Sequence, residues 1–149
     1  MTLRRMPAAC AAVAIATGSV LAPGAAAAGS LSGTYRVTLA ARDLVRVGAS
    51  AHEVGWAVGT WTLALGHGRW TLRQANGRYG NALDRGVVAL DGSRAAFTMT
   101  SADGYRHGEL VGTVRWQASA RALRFSVAVR PRSADLLEVL VARPWVRIR

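Results

Sequence analysis

The side chains able to do covalent or acid–base chemistry are few in this 149-residue chain, and they are scattered. The histidines are His52, His67 and His107. No two have the spacing of a metal-ligand pair, and His67 and His107 fall in expected turns. His107 shares the stretch SADGYRHGE with Asp103 and Glu109, the one polar cluster. Such a cluster at a barrel mouth can serve acid–base chemistry, and it reads equally as a hydrophilic loop. Asp43 and Glu53 stand apart from other carboxylates in the sequence. There is one cysteine, Cys10, and it lies close to the N-terminus. Nucleophile elbow, phosphate loop and cysteine–histidine pair are all missing. The expectation is therefore no catalytic residues, no metal site and no cofactor.

The aromatic residues carry more information. Residues 59–72 read GTWTLALGHGRWTL, two threonine-rich apolar runs, each with a tryptophan, around a Gly-His-Gly triplet. Trp61, Leu63 and Leu65 alternate with Thr60, Thr62 and Ala64, and Trp70 and Leu72 alternate with Thr71 and Arg73. Period-two alternation marks a strand buried on one face. Directly opposed residues of an antiparallel pair share a face, so an even-length turn at His67-Gly68 or Gly66-His67 puts all these large apolar residues on one side. The same arithmetic sets a turn at Asp91-Gly92, with Val88 opposite Ala95. It sets another at Ser119-Ala120, with Trp116 opposite Leu123. Further alternating runs carry Tyr35-Val37-Leu39, Val88-Leu90, Phe97-Met99, Leu110-Gly112-Val114-Trp116 and Leu123-Phe125-Val127-Val129, and a short run ends the chain at Trp145–Arg149.

About eight strands with turn signals close to every ten residues predict an antiparallel meander. One shared apolar face closes it most simply into an up-and-down barrel without exposed edges. Two stretches break the period. Residues 41–47 (ARDLVRV) predict a helical turn after the first strand. Residues 133–142 predict a helix before the last strand, with Ser133 as N-cap, an apolar face of Leu136, Leu137, Leu140 and Val141, and Pro144 as its stop.

The ends and the charge bound the setting. Arg4 and Arg5, the apolar run Ala8–Val20 and the small residues Ala26-Ala27-Ala28 have the pattern of a signal peptide over 1–28, which leaves 29–149 as one domain. The run is too short to span a membrane comfortably, and Sec export fits better than the twin-arginine route. The only cysteine falls inside the signal, so the exported domain holds no thiol or disulfide. The 19 basic residues are all arginine; removing Arg4 and Arg5 leaves 17 against 8 acids, a net charge of +9. The arginines are spread singly, at 36, 73, 94, 115, 124, 130 and 147, which suits a solvated basic coat facing anionic envelope polymers better than nucleic acid.

Gly33-Thr34-Tyr35, Asp43-Leu44, GTWTL, GRWTL, the Trp116 strand, Leu123-Arg124-Phe125 and the closing Pro144-Trp145-Val146-Arg147-Ile148 together give an order of motifs spanning Gly33 to Ile148. This order resembles small lipocalin-like (calycin) domains of secreted actinobacterial proteins, some of which are attached to solute-binding lipoproteins. Lipocalins carry Gly-x-Trp in the first strand, with an arginine near the last strand packed over that tryptophan. The resemblance makes Tyr35 and Arg147 the counterpart pair at the barrel end, with Tyr in place of Trp. It implies a ligand-holding barrel without known catalytic residues.

Three functions follow as expectations. The first is a secreted or envelope-associated noncatalytic barrel that binds a small hydrophobic or amphipathic molecule, lined by Tyr35, Trp61, Leu63, Trp70, Phe97, Trp116 and Phe125. Gly59 and Gly112 are the places for space in such a lining. The second is a filled barrel whose basic exterior docks on an envelope polymer or a protein. The third is an enzyme on the same barrel, which requires ionisable groups inside, where the alternation places almost none.

Overall fold

The computed structural model describes residues 31–75, 82–101, 107–132 and 135–149. The expected signal peptide and Ser133 lie outside the described residues. Eight strands run in chain order: β1 (Gly33–Leu39), β2 (Gly59–Gly66), β3 (Arg69–Ala75), β4 (Leu83–Asp91), β5 (Arg94–Ser101), β6 (Leu110–Ala118), β7 (Ala122–Val129) and β8 (Trp145–Arg147). Each pairs antiparallel with the next, and β8 returns to β1, closing the barrel. Three helices interrupt the meander: α1 (Ala41–Arg46) and α2 (Ala51–Ala57) between β1 and β2, and α3 (Asp135–Val141) between β7 and β8.

The strand directions divide the barrel into two ends. The tight turns β2–β3, β4–β5 and β6–β7 share one, here the hairpin end. All three helices sit at the other, the helix end. In β2–β3, Leu65 pairs with Trp70 and Gly66 with Arg69, so the turn is His67-Gly68. Both residues have positive φ, 51° and 69°, the signature of a type I′ turn whose twist matches that of the flanking strands.

The other two turns lie one residue further along than the sequence suggests. Asp91 pairs with Arg94, so the turn is Gly92-Ser93 and Val88 faces Phe97 rather than Ala95. Gly92 adopts the positive φ, 55°, that the first turn position needs here. Ala118 pairs with Leu123 and Trp116 with Phe125, which moves that turn to Ala120-Arg121. Moving a turn centre by one residue shifts the register by two, so every side chain keeps its expected face. Leu90, Val129 and Val111 depart from this: Leu90 lies past the end of the inward row and is 46% exposed, Val129 at the bulge by Thr113/Val114 is 53% exposed, and Val111 at the bulge by Phe97/Thr98 is buried.

α2 is a helix that the period-two reading passes over. Its start is a capping box: the Ser50 hydroxyl accepts from the Glu53 N–H (3.2 Å), and the Glu53 carboxylate accepts from the Ser50 N–H. α3 differs from the expected one-sided stripe. Leu136, Leu137, Glu138, Val139 and Leu140 are all buried, so the helix is enclosed on every side. It packs on β6 and β7. Leu137 leans on Gly112, where an added Cβ would stand 2.8 Å from the leucine Cδ1. Gly112 pairs with inward-facing Phe97, so the room this glycine leaves in the wall is taken up by α3.

Candidate functional site

The inner face gathers the residues that alternation assigns to it. Tyr35, Trp61, Leu63, Trp70, Phe97 and Phe125 are buried, with at most 3% of their surface exposed. Trp116 is half-buried, opposite Phe125. The rings touch edge to face: Trp70–Phe97 at 5.9 Å, Phe97–Phe125 at 5.7 Å, and Trp61 against Trp56 of α2 at 6.0 Å. That geometry places positive ring edges on negative ring faces and adds about 0.5–1.5 kcal/mol per pair beyond area burial.

Each buried indole also has polar work. Trp61 Nε1 donates to the Ala57 carbonyl (2.7 Å), and Gln74 Nε2 donates to those of Trp56 (2.6 Å) and Val58 (3.1 Å). The carbonyls at the C-terminus of α2, which no helical N–H can reach, are satisfied from inside the barrel. Trp145 Nε1 donates to the Leu140 carbonyl of α3 (2.9 Å) in the same way. Trp70 Nε1 lies between the carbonyls of Val87 (3.1 Å) and Thr98 (3.2 Å), next to a bulge at Arg85/Gly86. Gly86 makes that possible, since a Cβ there would stand 1.9 Å from the Thr98 oxygen and 2.6 Å from the indole nitrogen. Trp116 Nε1 is buried with no hydrogen-bond partner among the described residues.

At the hairpin end, Tyr35 pairs with Arg147, whose guanidinium carbon lies 5.9 Å from the Tyr35 ring centroid. The Tyr35 hydroxyl donates to the Ser32 carbonyl (3.0 Å), and Arg147 Nε donates to the Arg149 carbonyl (3.2 Å).

The helix end holds the buried polar side chains, Asp43, Gln74, Asp84 and Glu138. Asp84 faces inward in β4 on the row Asp84-Gly86-Val88, so the interior is not wholly free of ionisable groups. Extending the alternation at Val88 backward by four residues finds it in the sequence. Asp43 accepts from the Ala40 N–H (3.0 Å) and stands 3.6 Å from Arg46 and 3.7 Å from Arg143. Glu138 pairs with Arg130 through Oε1, while Oε2 is buried without a partner among the described residues. Burial pushes the Glu138 carboxyl above its ordinary value; the Arg130 hydrogen bond and charge pull it down, and Glu53 adds a smaller upward push. Glu138 escapes a reading of residue types, because one glutamate in an amphipathic helix looks solvent-facing.

The histidines do not converge. His52 lies on α2, His67 in the β2–β3 turn and His107 before β6, all exposed, while Asp103 lies outside the described residues. No group of three His, Cys, Asp or Glu able to hold a metal occurs among the described residues.

The outer wall is cationic. Arg36, Arg69, Arg73, Arg85, Arg94, Arg115 and Arg124 are exposed on strands β1 and β3–β7. None makes a side-chain hydrogen bond or ion pair among the described residues. Residues spread singly in sequence meet through the register: Arg94 lies directly opposite Arg115, and Arg124 is one diagonal step from Arg115. Directly opposed like charges destabilise a sheet. Of the carboxylates whose side chains are described, only Asp91, opposite Arg94 at the rim, is on a strand's outer face.

Comparison with protein-family models, with curated proteins and with solved structures gives no match. The class defined by the coordinates is a closed, eight-stranded, all-antiparallel barrel with its helices at one end, an architecture consistent with a lipocalin-like fold.

Proposed function

We propose that this chain is a secreted, lipocalin-like (calycin) interaction module of the cell envelope, docking its arginine-bearing wall on an anionic polymer. The observation that carries this reading is the outer row of unpaired arginines, above all the opposed Arg94 and Arg115. Two facing guanidinium groups that form no ion pair among the described residues, with Asp91 at the rim as the one outer-face carboxylate on a strand beside them, gain from an external anion spanning both. The signal-peptide pattern of residues 1–28 supports an address outside the cell. Apart from Trp116, the inward aromatic residues are engaged with one another or with backbone carbonyls, which supports a scaffold role for the interior.

Retention on a dextran sulfate matrix tests the reading. Binding should weaken steeply between about 0.01 M and about 1 M salt, as the screening length falls from about 30 Å to about 3 Å. The triple variant Arg94→Gln/Arg115→Gln/Arg124→Gln should elute at lower salt than the wild type. Retention indifferent to salt, or unchanged in the triple variant, would refute it.

A second reading, a barrel holding a small apolar molecule, draws on Trp116, whose buried indole N–H lacks a protein acceptor among the described residues. A guest with a hydrogen-bond acceptor would satisfy it. Native mass spectrometry of the secreted protein, together with quenching that Trp116→Phe abolishes, would favour this reading.

A further inference from the structure

The barrel has a seam. β8 is three residues long and pairs with β1 at Tyr35–Arg147 and Arg36–Val146, with Thr34 carrying the bonding on to Ile148 and Arg149 at the hairpin end. Continuing that register sets Pro144 opposite Thr38. Proline has no N–H to give, and the Thr38 carbonyl is met instead by Arg143 Nη1 at 3.5 Å. Where the ladder stops, the surface holds a depression of about 300 Å³, at the lower end of the size of small-molecule sites.

Its lining is of two kinds. Pro144, Val146 and Ile148, with the buried Val37, are its apolar members, and Arg36, Thr38 and Arg143 are its polar ones. Val146 is 58% exposed and Ile148 40%, so these side chains contribute area to the depression that the core does not use. Arg36 has no acidic partner among the described residues, and Arg143 meets its partner Asp43 only at 3.7 Å. Among the described residues no carboxylate lines the depression. Residues 1–30 of the chain itself contain two arginines and no acid, the wrong charge to cover this surface.

We infer that the β1–β8 seam is a binding site for a small amphipathic anion, an alkyl chain ending in one carboxylate, with the chain on Val146 and Ile148 and the head between Arg36 and Arg143. Guanidinium–carboxylate hydrogen bonds would fix the head, and the exposed apolar pair would lose water to the tail. The inference is independent of the polymer-docking reading, whose test uses arginines on β5–β7 and a ligand without an apolar body.

Calorimetric titration of the secreted chain with decanoate, kept below its micelle concentration, tests it. Decanoate should bind one to one. Decanol, lacking the charge, and acetate, lacking the chain, should each bind at least about tenfold more weakly, as a lost charge-assisted hydrogen bond or a lost apolar contact requires. Arg36→Gln should weaken decanoate about tenfold. Val146→Thr, at an exposed position that leaves the core intact, should weaken it severalfold while acetate binding stays unchanged. Decanol binding as tightly as decanoate overturns the inference. So does decanoate binding that both variants leave intact, which would send the ligand elsewhere on the barrel.

Discussion

The hairpin end and the helix end solve different problems with the same kinds of side chain. At the hairpin end the chain turns in two residues, ladders run to the rim, and Trp70 and Phe97 meet as rings. At the helix end the strands hand over to α1, α2 and α3, whose last carbonyls have no helical partner. There Trp61, Trp145 and Gln74 serve as donors, and the four buried polar side chains among the described residues collect. Alternation alone orders the first region. The second needs specific hydrogen bonds, because each buried polar group left unpaired costs about 1–3 kcal/mol.

Two glycines sharpen the contrast most. Gly86→Ala puts a Cβ 1.9 Å from a backbone oxygen between two paired strands, which cannot move without breaking the ladder. Gly112→Ala meets the tip of Leu137, which can turn aside. We expect Gly86→Ala to cost roughly 3 kcal/mol or more and Gly112→Ala about 1 kcal/mol, measured by urea unfolding. Equal costs would mean that α3 is held as rigidly as the wall.

A smaller effect probes the buried acid. Folding raises the Glu138 carboxyl pKa above its ordinary 4.5, so the folded state holds that proton more tightly than the unfolded state does. Its ionisation therefore costs stability. The cost is absent below about pH 4.5 and is fully present above the raised value. Glu138→Gln should melt at nearly the wild-type temperature in acid, and increasingly above it as pH rises toward neutrality. A gap that narrows with rising pH would show that the Arg130 pair outweighs burial.

The smallest effect belongs to the hairpin. His67 holds φ 51° without being glycine. Asparagine tolerates that region better, so His67→Asn should raise stability by about 0.5 kcal/mol without altering the register. A loss of stability in thermal melts would mean that the imidazole makes a contact the turn geometry does not require.

The same two ends explain what was legible in the sequence. The rule that opposed residues share a face fixed the inward set of β2 and β3 and survived two misplaced turns, because those errors changed register by two. The helix end was less transparent. Ser50 and Glu53 carried a capping signal that strand periodicity overlooked. Glu138 and Val139 lie on the side of α3 expected to be open, because α3 is wrapped by neighbours that no local pattern announces. The indole donors were hidden for a similar reason: Trp61 and Trp145 announce themselves as apolar, and their partners are carbonyls, which every residue has. The meeting of Arg94 with Arg115 became visible only with the register in hand.

The three-residue β8 has a consequence for how the barrel is made. Its partners are β1 and β7, so the contact that seals the cylinder joins residues more than a hundred positions apart, Arg36 with Val146 and Tyr35 with Arg147. Seven strands can pair with their sequence neighbours, but β1 stays unpartnered on one side until Trp145–Arg147 docks against it. Closure of the cylinder is thus a step of high contact order, and it sets the interval during which the open sheet is exposed to pairing with another chain.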